Sequence, residues 1–254
     1  MSAPKVAVIT GAAGGIGAAT ARALAKDGWD LALVDRSTDA LDGLTAELPG
    51  ARAFGCDIRD PAAVAATAAG IIAGGGPLGA LVTCAGVGDV VPLAGTGDEL
   101  WSDTIAVNLS GTFYWCREVL PELQRQGGGV VVTVASTTAL MGLPGRAAYA
   151  ASKAGVIGLA RTLAIEFAGD GIRVVPVTPG ATLTPLVRQG YQHAEDPAAA
   201  EAAHARLQPI GRLSRPEEIA DTIAFVCSPR AATITGAPLV VDGGYSSGGV
   251  SWNS

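Results

Sequence analysis

The chain has 254 residues, 49% of them hydrophobic and 16% charged, with a formal net charge of −6. An acidic balance without a basic cluster argues against nucleic acid as a partner, and no apolar run is long enough to span a bilayer. The length suits one large α/β domain with a substantial core.

No apolar stretch follows a basic segment after Met1, so no secretory leader is read and the cytoplasm is the expected location. Cys56, Cys84, Cys116 and Cys227 lie far apart and read as reduced thiols. His193 and His204 fit no ligand spacing, so no metal is expected.

Apolar strand-like runs alternate with helical stretches along the chain. Strands are expected at 5–10, 30–35, 51–55, 79–84, 129–135, 172–178 and 237–242. Helices are expected at about 16–27, 38–48, 61–73, 98–126, 149–168 and 216–227. Near-continuous Val/Ile/Leu strands suit a sheet buried on both faces, and the alternation suits parallel βαβ units. Right-handed crossovers then give a doubly wound α/β fold, a parallel sheet with helices on both faces. Nothing resembling a linker or a repeat interrupts 1–254, so a single domain is expected.

The first connection, Thr10-Gly11-Ala12-Ala13-Gly14-Gly15-Ile16-Gly17, joins the first strand to the first helix. Glycines there permit a tight turn and close approach of backbone to a pyrophosphate, and the helix start offers N–H groups. No Lys-Ser/Thr pair follows, which excludes a triphosphate-binding P-loop. Asp35 closes the second strand, 18 residues after Gly17, where a carboxylate can accept from ribose hydroxyls or simply cap the strand end. Arg36 follows it.

Tyr149 and Lys153 are four residues apart and so share one helix face. A nearby cation lowers the pKa of a phenol from its ordinary value near ~10, towards acid/base work at neutral pH. Only three lysines occur (Lys5, Lys26, Lys153), so Lys153 is not one solvated lysine among many.

The glycine turn together with Tyr149-xxx-Lys153 resembles the short-chain dehydrogenase/reductase family, and the likeness runs from residue 5 to about 245. The resemblance implies a seven-stranded Rossmann-type sheet and hydride transfer between a nicotinamide dinucleotide and a carbinol or carbonyl carbon. It implies cofactor contacts from Gly11, Gly14, Gly15, Ile16, Gly17, Asp35, Arg36, Asp57, Ile58, Ala85, Gly86, Pro179, Gly180, Thr182 and Thr184, with Asp57 at the adenine. Tyr149 would be the acid/base and Ser136 would hydrogen-bond the substrate oxygen. Lys153 would hold the nicotinamide ribose and lower the Tyr149 pKa, and Asn108 would position a relay water. Two positions depart from the family pattern: Cys84 stands where an Asn is usual, and Thr182 where a branched apolar residue is common.

By the same resemblance, residues 181–212 form a substrate lid. Val87, Thr138, Met141, Leu143, Leu186 and Tyr191 would line a mostly apolar pocket, with Arg146 and Arg188 as single cations. The helices at 98–126 and 149–168 would pair with their copies in a homotetramer. The tail 246–254 reads as flexible, with Trp252 either free or docked. NAD is expected over NADP, because Asp35 would repel the additional phosphate. The implied activity is an NAD(H)-dependent dehydrogenase or ketoreductase for small to medium, mostly apolar secondary alcohols. Two alternatives stay open, an NADPH-dependent 3-oxoacyl-carrier reductase and a non-catalytic dinucleotide sensor.

Overall fold

Seven parallel strands pair in the order β3-β2-β1-β4-β5-β6-β7 in a computed structural model that describes residues 5–192 and 195–248. The strands are β1 (Val6–Thr10), β2 (Asp30–Asp35), β3 (Arg52–Gly55), β4 (Leu78–Thr83), β5 (Gly129–Val134), β6 (Ile172–Pro179) and β7 (Leu239–Val241). The helices are α1 (Gly15–Lys26), α2 (Asp42–Glu47), α3 (Pro61–Ala73), α4 (Asp98–Ile105), α5 (Gly111–Arg125), α6 (Ala147–Glu166), α7 (Pro185–Gln192), α8 (Pro197–Ala205) and α9 (Pro216–Cys227). None of the described helices is long and apolar enough to cross a membrane.

Successive strand residues face opposite layers. Val6 and Val8 pack with Ile71 of α3, Trp115 of α5 and Ala160 of α6. Ala7 and Ile9 pack with Leu24 of α1 and with Ile219 and Ile223 of α9. Both sides of the sheet are therefore covered, which explains strands that are apolar at every position. Fully buried side chains such as Ile9, Leu24, Leu33 and Ile223 each contribute about 1.5–3 kcal/mol through removal of apolar surface from water. Strand order reverses between β1 and β4, and a doubly wound sheet opens its ligand cleft at the carboxyl ends of the strands beside that switch.

The expected elements are present, with three differences that bear on function. The helix expected at 38–48 is a 3₁₀ turn at Asp39–Leu41 followed by the short α2. The helix expected at 98–126 runs over Asp98–Arg125 and contains a π-helical turn at Ala106–Ser110, between α4 and α5. Its cause is a side-chain tie at Asn108, described below. The helix expected at 149–168 begins at Ala147, so Tyr149 sits inside the first turn of α6, not at its cap. Gly145 (φ 74) makes the turn before it, a conformation that a residue with a Cβ adopts at a cost.

The chain end is tied down as far as it is described. Asp242 accepts hydrogen bonds from Gly244 N, Ser246 N and Ser246 Oγ. Trp252 and the rest of the tail from 249 lie outside the described residues.

Candidate active site

Backbone packing explains the glycine turn. Gly11 adopts φ 64, and a Cβ there would lie 2.6 Å from the Ala85 backbone. A Cβ on Gly17 would lie 2.1 Å from Gly11 O, so α1 begins in direct contact with the turn. Among the described residues, the N–H groups of Gly15, Ile16 and Gly17 have no protein acceptor, and no acidic side chain stands in the first turn of α1. Unpaired donors and an uncompensated helix dipole at the mouth of the switch point fit a pyrophosphate. A dinucleotide therefore fits the residues present.

Asp35 is oriented by two main-chain donors, Ala13 N to Oδ2 at 3.0 Å and Arg36 N to Oδ1 at 2.8 Å. Its carboxylate thus fastens the end of β2 to the glycine turn while keeping lone pairs for a ligand. Arg36 itself is exposed. Asp57 differs from the simple expectation of a free adenine contact. It is held in a fork by Arg59, whose Nη2 lies 2.6 Å from Oδ2 and whose Nη1 reaches Asp103 of α4 at 2.6 Å. The first cause of its lowered pKa is that Arg59 hydrogen bond. Ile58 is buried beneath Gly111, where a Cβ would lie 2.7 Å from Ile58 Cδ1. Arg59 lay only two residues from Asp57 in the sequence, and its charge was the signal to weigh.

The catalytic candidates converge at the ends of β4 and β5 and the start of α6. Asn108 is wholly buried in the π turn. Its Oδ1 accepts from Val87 N, while Nδ2 donates to Val87 O and to Ser152 Oγ, all at 2.9 Å. Ser152 Oγ donates onward to Tyr149 O at 2.7 Å. One amide thereby joins the loop after β4, the π turn and the first turn of α6. Both amide hydrogens are consumed, so the side chain has no donor left for the expected relay water.

Lys153 is 4% exposed, and its Nζ donates to Val134 O at 2.8 Å. Burial lowers its pKa to about 8. Tyr149 requires a correction. Its pKa is raised by burial, and the groups that oppose the rise are Ser136 and then Arg146, not Lys153. The reason is geometric, since the ammonium is turned to the β5 carbonyl and stands 5.8 Å from the centroid of the Tyr149 ring. Arg146 Cζ is 5.6 Å from the same centroid. Ser136 Oγ accepts from Thr138 N at 3.3 Å and Thr138 Oγ1 at 2.9 Å, which leaves its own hydrogen for another acceptor.

Three glycines shape the cleft around these groups. A Cβ on Gly86 would lie 3.3 Å from both Asn108 Oδ1 and Lys153 Nζ. One on Gly88 would lie 2.5 Å from Tyr149 Cδ2, and one on Gly180 would lie 2.8 Å from Asp242 Cα. Gly88 and Ser152 are the site residues that sequence reasoning missed. Gly88 carried a faint signal as the second glycine of Gly86-Val87-Gly88.

Comparison with known proteins accords with this geometry. A family profile described as enoyl-(acyl carrier protein) reductase matches residues 11–246. D-threitol dehydrogenase of Mycolicibacterium smegmatis is 42% identical over 246 residues, covering 95% of this chain and 93% of the relative. Cis-4-hydroxycyclohexanecarboxylate dehydrogenase of Sinomonas cyclohexanicum is 41% identical over 248 residues, covering 96% and 97%. The crystal structure of a variant actinorhodin polyketide ketoreductase with NADPH superposes with a TM-score of 0.92 at 34% identity, covering 97% and 99%. The chain belongs to the short-chain dehydrogenase/reductase family. It is an oxidoreductase of secondary alcohols and ketones that uses a nicotinamide dinucleotide.

The pocket of this dehydrogenase/reductase is less uniform than an apolar cup. Val87, Met141 and Leu143 are partly exposed on the expected apolar side. Thr138 is 8% exposed and directs both its N–H and its hydroxyl to Ser136. Thr184 and Pro185 lie over the glycine turn, where a Cβ on Gly15 would sit 3.0 Å from Thr184 Cγ2 and from Pro185 Cδ. Thr182 is buried, bridges to Ser214 and donates to Gly180 O, which shapes the segment after Pro179. Tyr191 is engaged with α8, its hydroxyl 2.6 Å from His204 Nδ1. The Leu186 side chain lies outside what is described. Cys84 is a free thiol whose pKa burial pushes up to about 12, so the departure from the family Asn leaves a neutral side chain there.

Proposed function

We propose that this enzyme oxidises secondary alcohols to ketones and runs the reverse reduction with NAD(H), using Ser136, Tyr149, Lys153 and Asn108. The observation that carries the reading is the convergence of Tyr149, Ser136 and Lys153 at the open end of β5, tied by Asn108 to the loop that faces them. The bound dinucleotide supplies the hydride acceptor or donor. Tyr149 Oη takes the hydroxyl proton from an alcohol, or gives its own to a developing alkoxide. Ser136 Oγ, already accepting from Thr138, turns its free hydrogen to the same substrate oxygen and fixes its direction. Lys153, on the same helix face, would hold the ribose side of the cofactor. Gly11 to Gly17 would hold the pyrophosphate of the dinucleotide, and the segment from Pro179 to Thr184 would meet its nicotinamide end.

NAD is the preferred partner. The Asp35 carboxylate is pinned by Ala13 N and Arg36 N, so it has little freedom to retreat from a ribose phosphate. Two unit charges about 4 Å apart at an effective dielectric of ~20 repel by about 4 kcal/mol, and each ~1.4 kcal/mol is tenfold. The expected kcat/KM is at least tenfold higher with NAD, and Asp35→Ala narrows the gap. Equal efficiency with the two cofactors would overturn this preference and favour the carrier-reductase alternative.

A panel of secondary alcohols and ketones followed by NADH absorbance tests the activity. Tyr149→Phe is expected to retain cofactor binding and to lose about 10²–10⁴-fold in turnover, the usual contribution of a general acid–base group. A variant that keeps a third of the activity would remove Tyr149 from the reaction. The homotetramer belongs to the same proposal. The outer face of α6 exposes Ala151, Ala154 and Gly158, side chains small enough for a second helix to approach closely.

A further inference from the structure

The catalytic cleft contains a cation that the proton-transfer scheme does not use. Arg146 is half-buried at the entry to α6, and its guanidinium stacks near the Tyr149 ring, 5.6 Å from the centroid. Its one hydrogen bond among the described residues is a long contact from Nη1 to Asp89 O at 3.4 Å. A guanidinium carries five N–H donors, so most of this one's capacity is uncommitted. Elsewhere in the described chain Arg22, Arg59, Arg125 and Arg212 each close on a carboxylate at 2.7 Å or less. Arg146 closes on none.

Among the described residues no carboxylate forms an ion pair with Arg146, although Glu201 of α8 acts electrostatically on Tyr191. His204 of α8 has its Nδ1 on the Tyr191 hydroxyl, and its pKa is lowered by burial and then by the charge of Arg146. The imidazole that faces this cation is therefore neutral at pH 7 and neither competes for an anion nor supplies one. A half-buried cation with open donors, beside the phenol that meets the reacting oxygen, is placed to receive an anionic group of the substrate. A single planar guanidinium matches the one charge and two coplanar oxygens of a carboxylate.

We propose that Arg146 is the specificity-determining residue of this pocket and selects secondary alcohols that carry a carboxylate a few bonds from the carbinol carbon. The proposal rests on the alcohol dehydrogenase reading and sharpens it: the apolar side holds the carbon skeleton, and Arg146 holds the charged end.

Two measurements test it separately from that reading. In the first, the protein saturated with NAD⁺ is titrated calorimetrically with cyclohexanecarboxylate and with cyclohexanecarboxamide. The unmodified protein is expected to bind the carboxylate at least tenfold tighter, Arg146→Gln to bind the two alike, and Arg146→Lys to keep part of the preference. In the second, kcat/KM is compared for 4-hydroxycyclohexanecarboxylate and its carboxamide, with the same tenfold preference expected and the same loss in Arg146→Gln. Equal binding of acid and amide by the unmodified protein overturns the proposal. So does an Arg146→Gln variant that slows acid and amide equally while shifting the pH profile of both, since Arg146 would then act on Tyr149 alone. Failure of every alcohol to be oxidised would defeat the dehydrogenase reading instead, and the titration would still decide the fate of Arg146.

Discussion

Lys153 shows what a buried lysine costs at the scale of one residue. Its ammonium is buried with one carbonyl partner, and its pKa falls from 10.5 to about 8 because burial disfavours the charged form. The unfolded chain binds the proton more tightly than the folded chain does. Stability associated with this group is therefore missing below pH ~8 and returns as pH rises towards ~10.5. A shift of this size corresponds to a few kcal/mol at about 1.36 kcal/mol per unit. Lys153→Met is thus expected to stabilise the ligand-free protein at pH 7, with the advantage shrinking between about pH 8 and pH 10.5. Denaturant unfolding of both proteins across that range measures the difference, and other titrating groups cancel in the comparison. A variant less stable at pH 7, or a gap independent of pH, would contradict a buried charge. The same residue corrects the simplest reading of the Tyr-xxx-Lys spacing. Helical periodicity puts the two side chains on one face, but it does not say that the ammonium turns to Val134 O and away from the phenol.

At the scale of elements, legibility followed the range of the interactions responsible. The strands were readable because burial on both faces leaves an unbroken apolar run, as in Val6–Ile9 and Leu78–Val82. The glycine turn was readable because only glycine tolerates contacts such as the one between Gly17 and Gly11 O. The π turn was not readable. It depends on Asn108 reaching Val87, 21 residues away, and Ser152, 44 residues away, and no local periodicity records such ties. π turns inside α-helices often mark functional sites, and here one brings a buried amide beside the first turn of α6. Tyr191 was placed in the pocket on its apolar character, yet its hydroxyl determines where it goes, because burying it requires the His204 partner. The family resemblance points Asp57 at the adenine, and it does not show that Arg59, two residues on, also holds the carboxylate.

At the scale of the molecule, the topology explains why these parts meet at all. Strand order reverses at β1 and β4, so the glycine turn after β1, Gly86 after β4, Ser136 after β5 and Gly180 after β6 open on one edge of the sheet. A ligand spanning that edge touches four strand ends at once, and so it stabilises the fold as a whole. Binding only to the folded state adds roughly 2.7 kcal/mol at a hundredfold excess over Kd, and each kcal/mol moves Tm by about 2–4 °C in a domain near this size. Saturating dinucleotide is therefore expected to raise Tm by about 5–10 °C. Gly17→Ala should abolish the shift, because the new methyl would lie 2.1 Å from Gly11 O and the turn must open to admit it. Gly15→Ala, whose nearest neighbours are the Thr184 and Pro185 side chains at 3.0 Å, should reduce it less. Gly70→Ala serves as the control: it is exposed within α3 with open space around it, and the exchange should raise Tm slightly through helix propensity, worth up to ~1 kcal/mol. Thermal unfolding of the three variants with and without dinucleotide separates the effects. A full ligand-induced shift in Gly17→Ala would mean that the turn after β1 is not where the cofactor is held.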